Sequence, residues 1–373
     1  MKRLLISALV MSFALTVATP VTAHARNWWP ENLRFWNRNN TEQAAPAAAA
    51  TERETVTITD FNGNVVQVRQ NPSVVAIYDW GVLDMMYTIG MEQFGIETLI
   101  VPNPDGIPSV LAGVRNIPGL QVINGGTLFY VDWDVLDLVT PELVILGARS
   151  FGMNAAGDRL SAEDNEAFRA DTEARYADTQ FIRLTINAQQ SDLLGDMRRN
   201  AASIAQIWPG VAGQLNAEIA EIEAGMAYVN AAASASGKTA VFLMMTTPTN
   251  LSLFLDGSRM GMVFDEFGFN PAYTAEDIGL FSDQHGFESR AEFVLALNPD
   301  IIFLLDRNEM NDNIPESAGF DALMGDPIIQ RTNAFAEGHI YALYPQEWYT
   351  VVGGFGSARQ MIACTMRFVE NIR

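Results

Sequence analysis

Two stretches of this chain carry one hydrophobic pattern. Residues 134–149 read DVLDLVTPELVILGAR and residues 292–307 read EFVLALNPDIIFLLDR. In each, an acidic residue (Asp134, Glu292) opens a short apolar-periodic segment and a proline (Pro141, Pro299) stops it. A carboxylate follows (Glu142, Asp300), and a continuous apolar run then leads to an arginine (Arg149, Arg307). Proline cannot continue a helix interior, and a run such as Ile301 to Leu305 suits a strand covered on both faces of a parallel sheet. The unit therefore predicts helix, tight turn and buried strand, with an arginine at the strand's C-terminal end. All four correspondences hold at one spacing of 158 residues. Solenoid repeats are far shorter, so the pattern predicts two similar α/β lobes. Ligands of open α/β sheets bind beyond the carboxyl ends of strands. Two facing lobes that each offer an arginine there predict a cleft for an anion.

The remaining pattern fills in these lobes. Alternating runs around Asn62-Gly63-Asn64 predict a β-hairpin. A buried strand over 73–78, a helix over 80–89 closed by Gly90, strands at 98–101 and 121–122, polar helix and loop over 152–178, and a strand at 181–184 follow. After Pro209, apolar residues at Val211, Leu215, Ile219, Ile222, Met226 and Val229 keep helical spacing. Carried to Ala233, that helix would be roughly 35–40 Å long, a rigid strut between lobes. The second lobe is read as a strand over 239–244, a loop over 245–257, a helix over 261–267, the repeated unit, a strand over 340–343 and a closing helix over 357–372. The expected fold class is α/β: two Rossmann-like lobes with parallel sheets, joined by a long backbone helix. The divisions are 1–25, 26–54, 55–186, 187–236 and 237–373, the last three being N-terminal lobe, connecting helices and C-terminal lobe.

The first 25 residues have a basic start (Lys2, Arg3), an apolar stretch too short to span a bilayer and Ala23-His24-Ala25. This predicts a secretory signal peptide cleaved after Ala23 or Ala25, and a periplasmic protein that does not span the membrane. The single cysteine, Cys364, excludes a disulfide framework and a cysteine-ligated metal site, and leaves no lipid-anchor cysteine behind the leader. The net charge of −21 becomes −23 once Lys2 and Arg3 leave. So acidic a body repels nucleic acid and anionic membrane surfaces. An anionic ligand would have to be held by a local arginine cluster. Residues 26–54, with Trp28, Trp29, Phe35 and Trp36, read as an extension and alanine-rich linker.

An arginine behind a buried strand needs an anion, either a ligand or a neighbouring carboxylate such as Asp306. Its recurrence on both lobes favours the ligand. Arg259 lies in a glycine-flanked loop, 256–261, that could turn N–H groups toward an anion or be an ordinary cap turn with Ser258 as the cap. His285 precedes Gly286 in a polar loop, and Tyr349 follows the strand at 340–343. An imidazole and a phenolate could complete the coordination of a ferric ion whose other ligands are oxygens, and Trp348-Tyr349 could equally be packing. Only three histidines exist, one of them in the leader, which disfavours a zinc or manganese carrier.

The segments GSRMGMVFDEFGFNPA, HGFESRAEFVLALNPDIIFLLDRN and GHIYALYPQEWYTVVGGFGSARQMI, with NVVQVRQNPSVVAIYDWGVLDMMYTIGM and DWDVLDLVTPELVILGARS in the first half, resemble the periplasmic iron–siderophore binding proteins of ABC importers. The resemblance is to their catecholate (petrobactin-type) branch and spans most of residues 55–373. It implies the class III periplasmic binding protein fold and a cleft lined by Arg149, Arg259 and Arg307. It also implies direct binding of iron by His285 and Tyr349 when the siderophore supplies only four donors. Asp134 and Glu292 would dock the lobes onto an inner-membrane ABC permease; charge at a helix N-terminus is their simpler use. Tyr78, Trp80 and Trp348 are candidate ring partners for the ligand. The implied function is capture by a monomer with no intrinsic cofactor, the ligand being an Fe(III)–siderophore. Haem or cobalamin binding on the same fold is the alternative. An exported enzyme with a carboxylate acid/base site is the reading from another class, although no G-x-S-x-G, H-E-x-x-H or P-loop stretch occurs.

Overall fold

The computed structural model describes residues 54–150, 152–154, 157–176, 178–186, 192–247, 250–274, 277, 287–310 and 318–372. The signal peptide, nearly all of the aromatic extension and His285 lie outside them. The first lobe opens with the hairpin β1 (Thr55–Thr59) and β2 (Val65–Arg69), turned by Gly63 at φ 82°. There follow β3 (Val74–Tyr78), α1 (Trp80–Ile89), β4 (Thr98–Val101), β5 (Gln121–Asn124), α2 (Trp133–Val139), β6 (Leu143–Leu146), α3 (Ala162–Arg175) and β7 (Gln180–Arg183). Strands β3 to β7 form an all-parallel sheet in the order β5-β4-β3-β6-β7. Strands β3 and β6 are the two neighbours at which the winding reverses, and a crevice opens beyond their carboxyl ends.

Helices α4 (Leu193–Ile207) and α5 (Ala212–Ser236) lead to the second lobe. Pro209 starts a short 3₁₀ turn before α5, and the 25 residues of α5 span about 38 Å at the usual rise. Its buried stripe, Leu215, Ile222, Met226, Val229 and Ala233, faces α4 and the C-terminal helix Phe355–Asn371.

In the second lobe β8 (Thr239–Thr247), β12 (Ile301–Asp306) and β13 (Ile340–Leu343) run parallel, and β10 (Asn270–Pro271) adds two residues beside β8. An antiparallel edge extends this sheet: β9 (Asn250–Phe254) pairs with β8, and β11 (Phe287–Ser289) with β9. The loop expected over 245–257 is therefore half strand. Leu251 and Leu253 alternate with Ser252, a period-two signal within a stretch that its polar neighbours make look like loop. The helix expected over 261–267 is a single turn, Met262–Asp265.

The repeat survives at atomic detail. Helix α2 and helix Ala291–Leu297 each have seven residues and end on a left-handed residue, Thr140 at φ 49° and Asn298 at φ 44°, just before the proline. The following carboxylates tie each unit to the strand beside it. Glu142 accepts from Ser73 N–H (3.0 Å) and Oγ (2.9 Å), and Asp300 accepts from Thr239 N–H (2.9 Å) and Oγ1 (3.1 Å). Each lobe thus pins the start of its central strand with the same carboxylate–hydroxyl clasp.

The lobes meet through α1 and the segment before the C-terminal helix. Asp84 of α1 is 3% exposed and accepts from Ser357 N–H at 2.9 Å, so a first-lobe carboxylate satisfies donors at a second-lobe helix start. A Cβ on Gly354 or Gly356 would collide with that carboxylate, and one on Gly81 would sit 2.7 Å from the Val352 carbonyl oxygen. At the rim, Gln346 Oε1 accepts from Ser109 N–H (2.9 Å) and Oγ (2.8 Å).

Candidate functional site

A cleft lies between the lobes. Asp79 and Trp80 behind β3, Arg149 behind β6, Thr185 behind β7, and Arg259, Thr350 and Val352 from the second lobe contribute to its walls. Its first-lobe half sits on the crevice between β3 and β6. The strand order, rather than any single residue, puts it there.

Tyr349 is the point on which the three arginines converge. The guanidinium carbons of Arg149, Arg259 and Arg307 lie 5.2, 4.9 and 5.3 Å from its ring centroid. Arg149 and Arg259 also donate from Nη2 to its carbonyl oxygen, at 3.3 and 3.1 Å. Tyr349 rides on one π-helical turn, Gln346–Thr350, closed by the bond from Val351 N–H to the Gln346 carbonyl at 2.8 Å. Such turns re-aim side chains and gather at functional sites. Among the described residues no carboxylate forms an ion pair with any of the three arginines. Asp306, the neighbour that could have neutralised Arg307, accepts instead from Asn308 N–H (2.9 Å), Asn308 Nδ2 (2.9 Å) and Gly319 N–H (2.7 Å).

Gathering three cations is costly. Burial, reinforced by the charges of Arg149 and Arg307, lowers the Arg259 pKa to about 10, so the group stays charged at neutral pH. Its Nε–H is buried and finds no acceptor among the described atoms. A buried guanidinium donor left open in a cleft wall is one that an anionic oxygen can satisfy.

The loop behind Arg259 departs from expectation. Ser258 is not a helix cap: its Oγ donates to the Leu255 carbonyl at 2.5 Å, while Gly257 N–H donates to Asp265 Oδ2 at 2.7 Å. Part of the loop's hydrogen bonding is thus spent internally, and the guanidinium is what this loop offers to the cleft.

The three candidate ring partners fare differently. Tyr78 and Trp80 line the cleft but are 1% and 5% exposed, and the Tyr78 hydroxyl donates to the Gly125 carbonyl at 2.7 Å. Trp348 is 1% exposed and packs on Phe267 in the core with ring centroids 5.7 Å apart, away from the cleft walls. Its strand-end position looked like a site position, but the π turn carries Tyr349 outward and Trp348 inward. Asp134 and Glu292 are exposed in the first turns of their two helices. His339 lies beside Glu337, with Nδ1 3.2 Å from the carboxylate, and stacks on Tyr341.

Asp79 is the wall residue that the pattern of the sequence did not bring forward. It caps α1, accepting from Val82 N–H at 3.0 Å through Oδ1, and its Oδ2 accepts from Thr185 Oγ1 at 3.0 Å. Burial raises its pKa, against the hydrogen bonds from Val82 and Thr185 and the charge of Arg149. An aspartate one residue beyond a buried strand and one before a helix was the available signal.

Against known proteins, the model of the family described as periplasmic binding protein matches residues 75–347. The petrobactin-binding protein YclQ of Bacillus subtilis is 24% identical over 314 residues, covering 84% of this chain and 87% of that one. The crystal structure of YclQ superposes with a TM-score of 0.69, covering 85% of this chain and 99% of that one at 22% identity. The periplasmic catecholate-siderophore binding protein VctP of Vibrio cholerae gives 0.68 at 21% identity, over 84% of this chain and 100% of that one. The haem-binding protein HmuT gives 0.54 at 19% identity, over 89% and 88%. At these identities the structures establish the fold and leave the ligand to the residues of the cleft.

Proposed function

The chain belongs to the periplasmic binding protein family, and from that premise we propose that it captures a ferric catecholate-type siderophore between its lobes and delivers it to an ABC permease for iron uptake. The observation that carries this reading is the convergence of Arg149, Arg259 and Arg307, drawn from both lobes, on one aromatic ring. Catecholates are aromatic, anionic and rich in oxygen. A guanidinium meets such a ligand in two ways at once, donating from its edge to oxygens and stacking its face on the ring. Arg149 and Arg259 already do both to Tyr349, holding its ring and its carbonyl, which is the chemistry an incoming catecholate would present. The petrobactin-binding YclQ and the catecholate-siderophore binding VctP share the fold and support the assignment.

Where a siderophore leaves two iron positions free, the Tyr349 phenolate and the His285 imidazole fill them. The Tyr349 proton passes to solvent as the phenolate binds. The exposed acids Asp134 and Glu292, repeated on the two lobes, meet basic residues of the permease.

Tryptophan-quenching titration tests the reading with ferric bis-catecholate, ferric tris-catecholate, ferric hydroxamate and haem as ligands. Catecholate binding that weakens in Arg307→Ala and Tyr349→Phe is the expected result. Binding of haem alone, or of none of the four, overturns the ligand assignment.

A further inference from the structure

Arg149 and Arg259 share the cleft wall with one carboxylate, and Arg307 joins them around the Tyr349 ring. Asp79 lies in the same wall as Arg149 and Arg259, and its charge acts on both guanidiniums. It is held rigidly, Oδ1 by Val82 N–H and Oδ2 by Thr185 Oγ1, each at 3.0 Å. Thr185 is fixed in turn by the hydrogen bond its Oγ1 accepts from Ala148 N–H at 3.2 Å, beside Arg149. Gly147 leaves room for this arrangement: a Cβ there would sit 2.8 Å from Asp79 Oδ2. Helix capping alone does not require an acid, since Asn and Ser cap as well as Asp. A carboxylate buried in an anion-binding wall works against total affinity, so its effect is on which anion is taken.

We propose that Asp79 is a specificity-determining residue that selects iron complexes of low negative charge, favouring ferric bis-catecholates over ferric tris-catecholates. The inference rests on the siderophore-binding reading above. Both Asp79 oxygens act as acceptors, the pattern of an ionised carboxylate, and with it the three guanidiniums gathered around Tyr349 leave the site two net positive charges. Ferric ion bound by two doubly ionised catecholates carries one negative charge, and the Tyr349 phenolate that completes it adds a second, so site and complex balance. A tris-catecholate complex carries three negative charges and has no iron position left for Tyr349. Against it the Asp79 carboxylate is an uncompensated like charge. Like-charge juxtaposition in a binding site acts chiefly through the wrong partner it rejects.

The test uses the mature full chain and two probes: iron(III) bound by a tetradentate bis-catechol ligand, and iron(III) bound by a hexadentate tris-catechol ligand. Affinities are measured for wild type, Asp79→Asn, Asp79→Ser and Thr185→Val. Asn and Ser retain a capping group and remove the charge; Thr185→Val keeps the carboxyl and removes a hydroxyl that favours its ionised form. Wild type should prefer the bis-catecholate. Both neutral variants should move the tris-to-bis affinity ratio toward the tris-catecholate by about tenfold, the size expected for one unit charge acting on a one-charge difference across a partly solvated cleft. Thr185→Val should shift the ratio the same way but by less, because it removes one hydrogen bond that favours the ionised Asp79 and leaves the carboxyl in place. The shift should shrink as salt is added, which loss of a cap would not produce. An unchanged ratio in the neutral variants, or equal weakening of both complexes, overturns the inference and leaves siderophore binding standing. Binding of neither probe by wild type overturns the reading beneath it, and the inference falls with it.

Discussion

Tyr349 brings two separable properties to the cleft, and one oxygen atom divides them. Its ring holds three guanidiniums within 5.3 Å, and its hydroxyl is the group that would reach iron. Tyr349→Phe should keep the ring among the arginines and leave stability within about 0.5 kcal/mol, as for a half-buried side chain whose packing is retained. The tyrosinate-to-iron absorption band of the bis-catecholate complex should vanish. A band that persists in the variant would remove Tyr349 from the coordination sphere. Arg259 makes the complementary case. It stacks, donates to the Tyr349 carbonyl and keeps a buried Nε–H open. Lysine has neither the plane nor the fork, so Arg259→Lys should weaken catecholate affinity by about tenfold or more although charge is conserved. Equal affinity in a direct titration would mean that charge alone suffices.

At the scale of the element, the seam between α1 and the C-terminal helix Phe355–Asn371 depends on a buried carboxylate. Burial raises the Asp84 pKa to about 6, partly offset by the N–H groups of Ser357 and Gly356, with Glu347 adding to the rise. A carboxyl whose folded pKa lies above its unfolded value binds its proton more tightly in the native state. Its contribution to stability is present below about pH 4 and is lost as pH rises through 6. Asp84→Asn removes that term. The variant should gain on wild type between pH 4.5 and pH 7.5 by on the order of 2 kcal/mol, read from urea midpoints at the two pH values. A difference that does not change with pH would show that Asp84 is not protonated in this window. The repeated clasps of Glu142 on Ser73 and Asp300 on Thr239 belong to this scale too. They give the Pro-acid dipeptide a structural use that is separate from the arginine it precedes.

Across the whole molecule, the two exposed acids stand in the first turns of helices related by the internal repeat. Neither acid lines the cleft, so under the proposed function docking and capture would call on different side chains. The double variant Asp134→Arg, Glu292→Arg should bind ferric catecholate as wild type does. It should also fail to stimulate the ATPase of its permease in proteoliposomes. Full stimulation by the double variant would remove these acids from the docking surface. Among the described residues no helix is long and apolar enough to cross a membrane.

Much of this protein could be read along the chain because local chemistry and burial agree there. The strands at 98–101 and 340–343, and the helix at 80–89 with its Gly90 stop, fall where periodicity put them, and the repeat at 158 residues gives the two-lobed α/β plan. Arg149 and Arg307 are legible for the same reason, since a buried strand fixes where its last residue emerges. The strut helix follows from an apolar spacing that only a helix gathers onto one face.

Tertiary structure decided what depends on distance across the sequence. Trp348 and Tyr349 are neighbours in the chain, and the π turn alone sends one into the core and the other between three arginines. The β8–β9 edge needed a partner strand before a short polar alternation could be read as β. Asp79 is an unexceptional capping residue in the sequence and becomes a wall of the cleft only when β3 lies beside β6 and Thr185 comes over from β7. Sequence determined which groups each strand end delivers, because side-chain direction is set by local backbone geometry. The charge and shape of the site awaited the packing of the lobes, because Coulomb energy and burial depend on separations that only the folded chain defines.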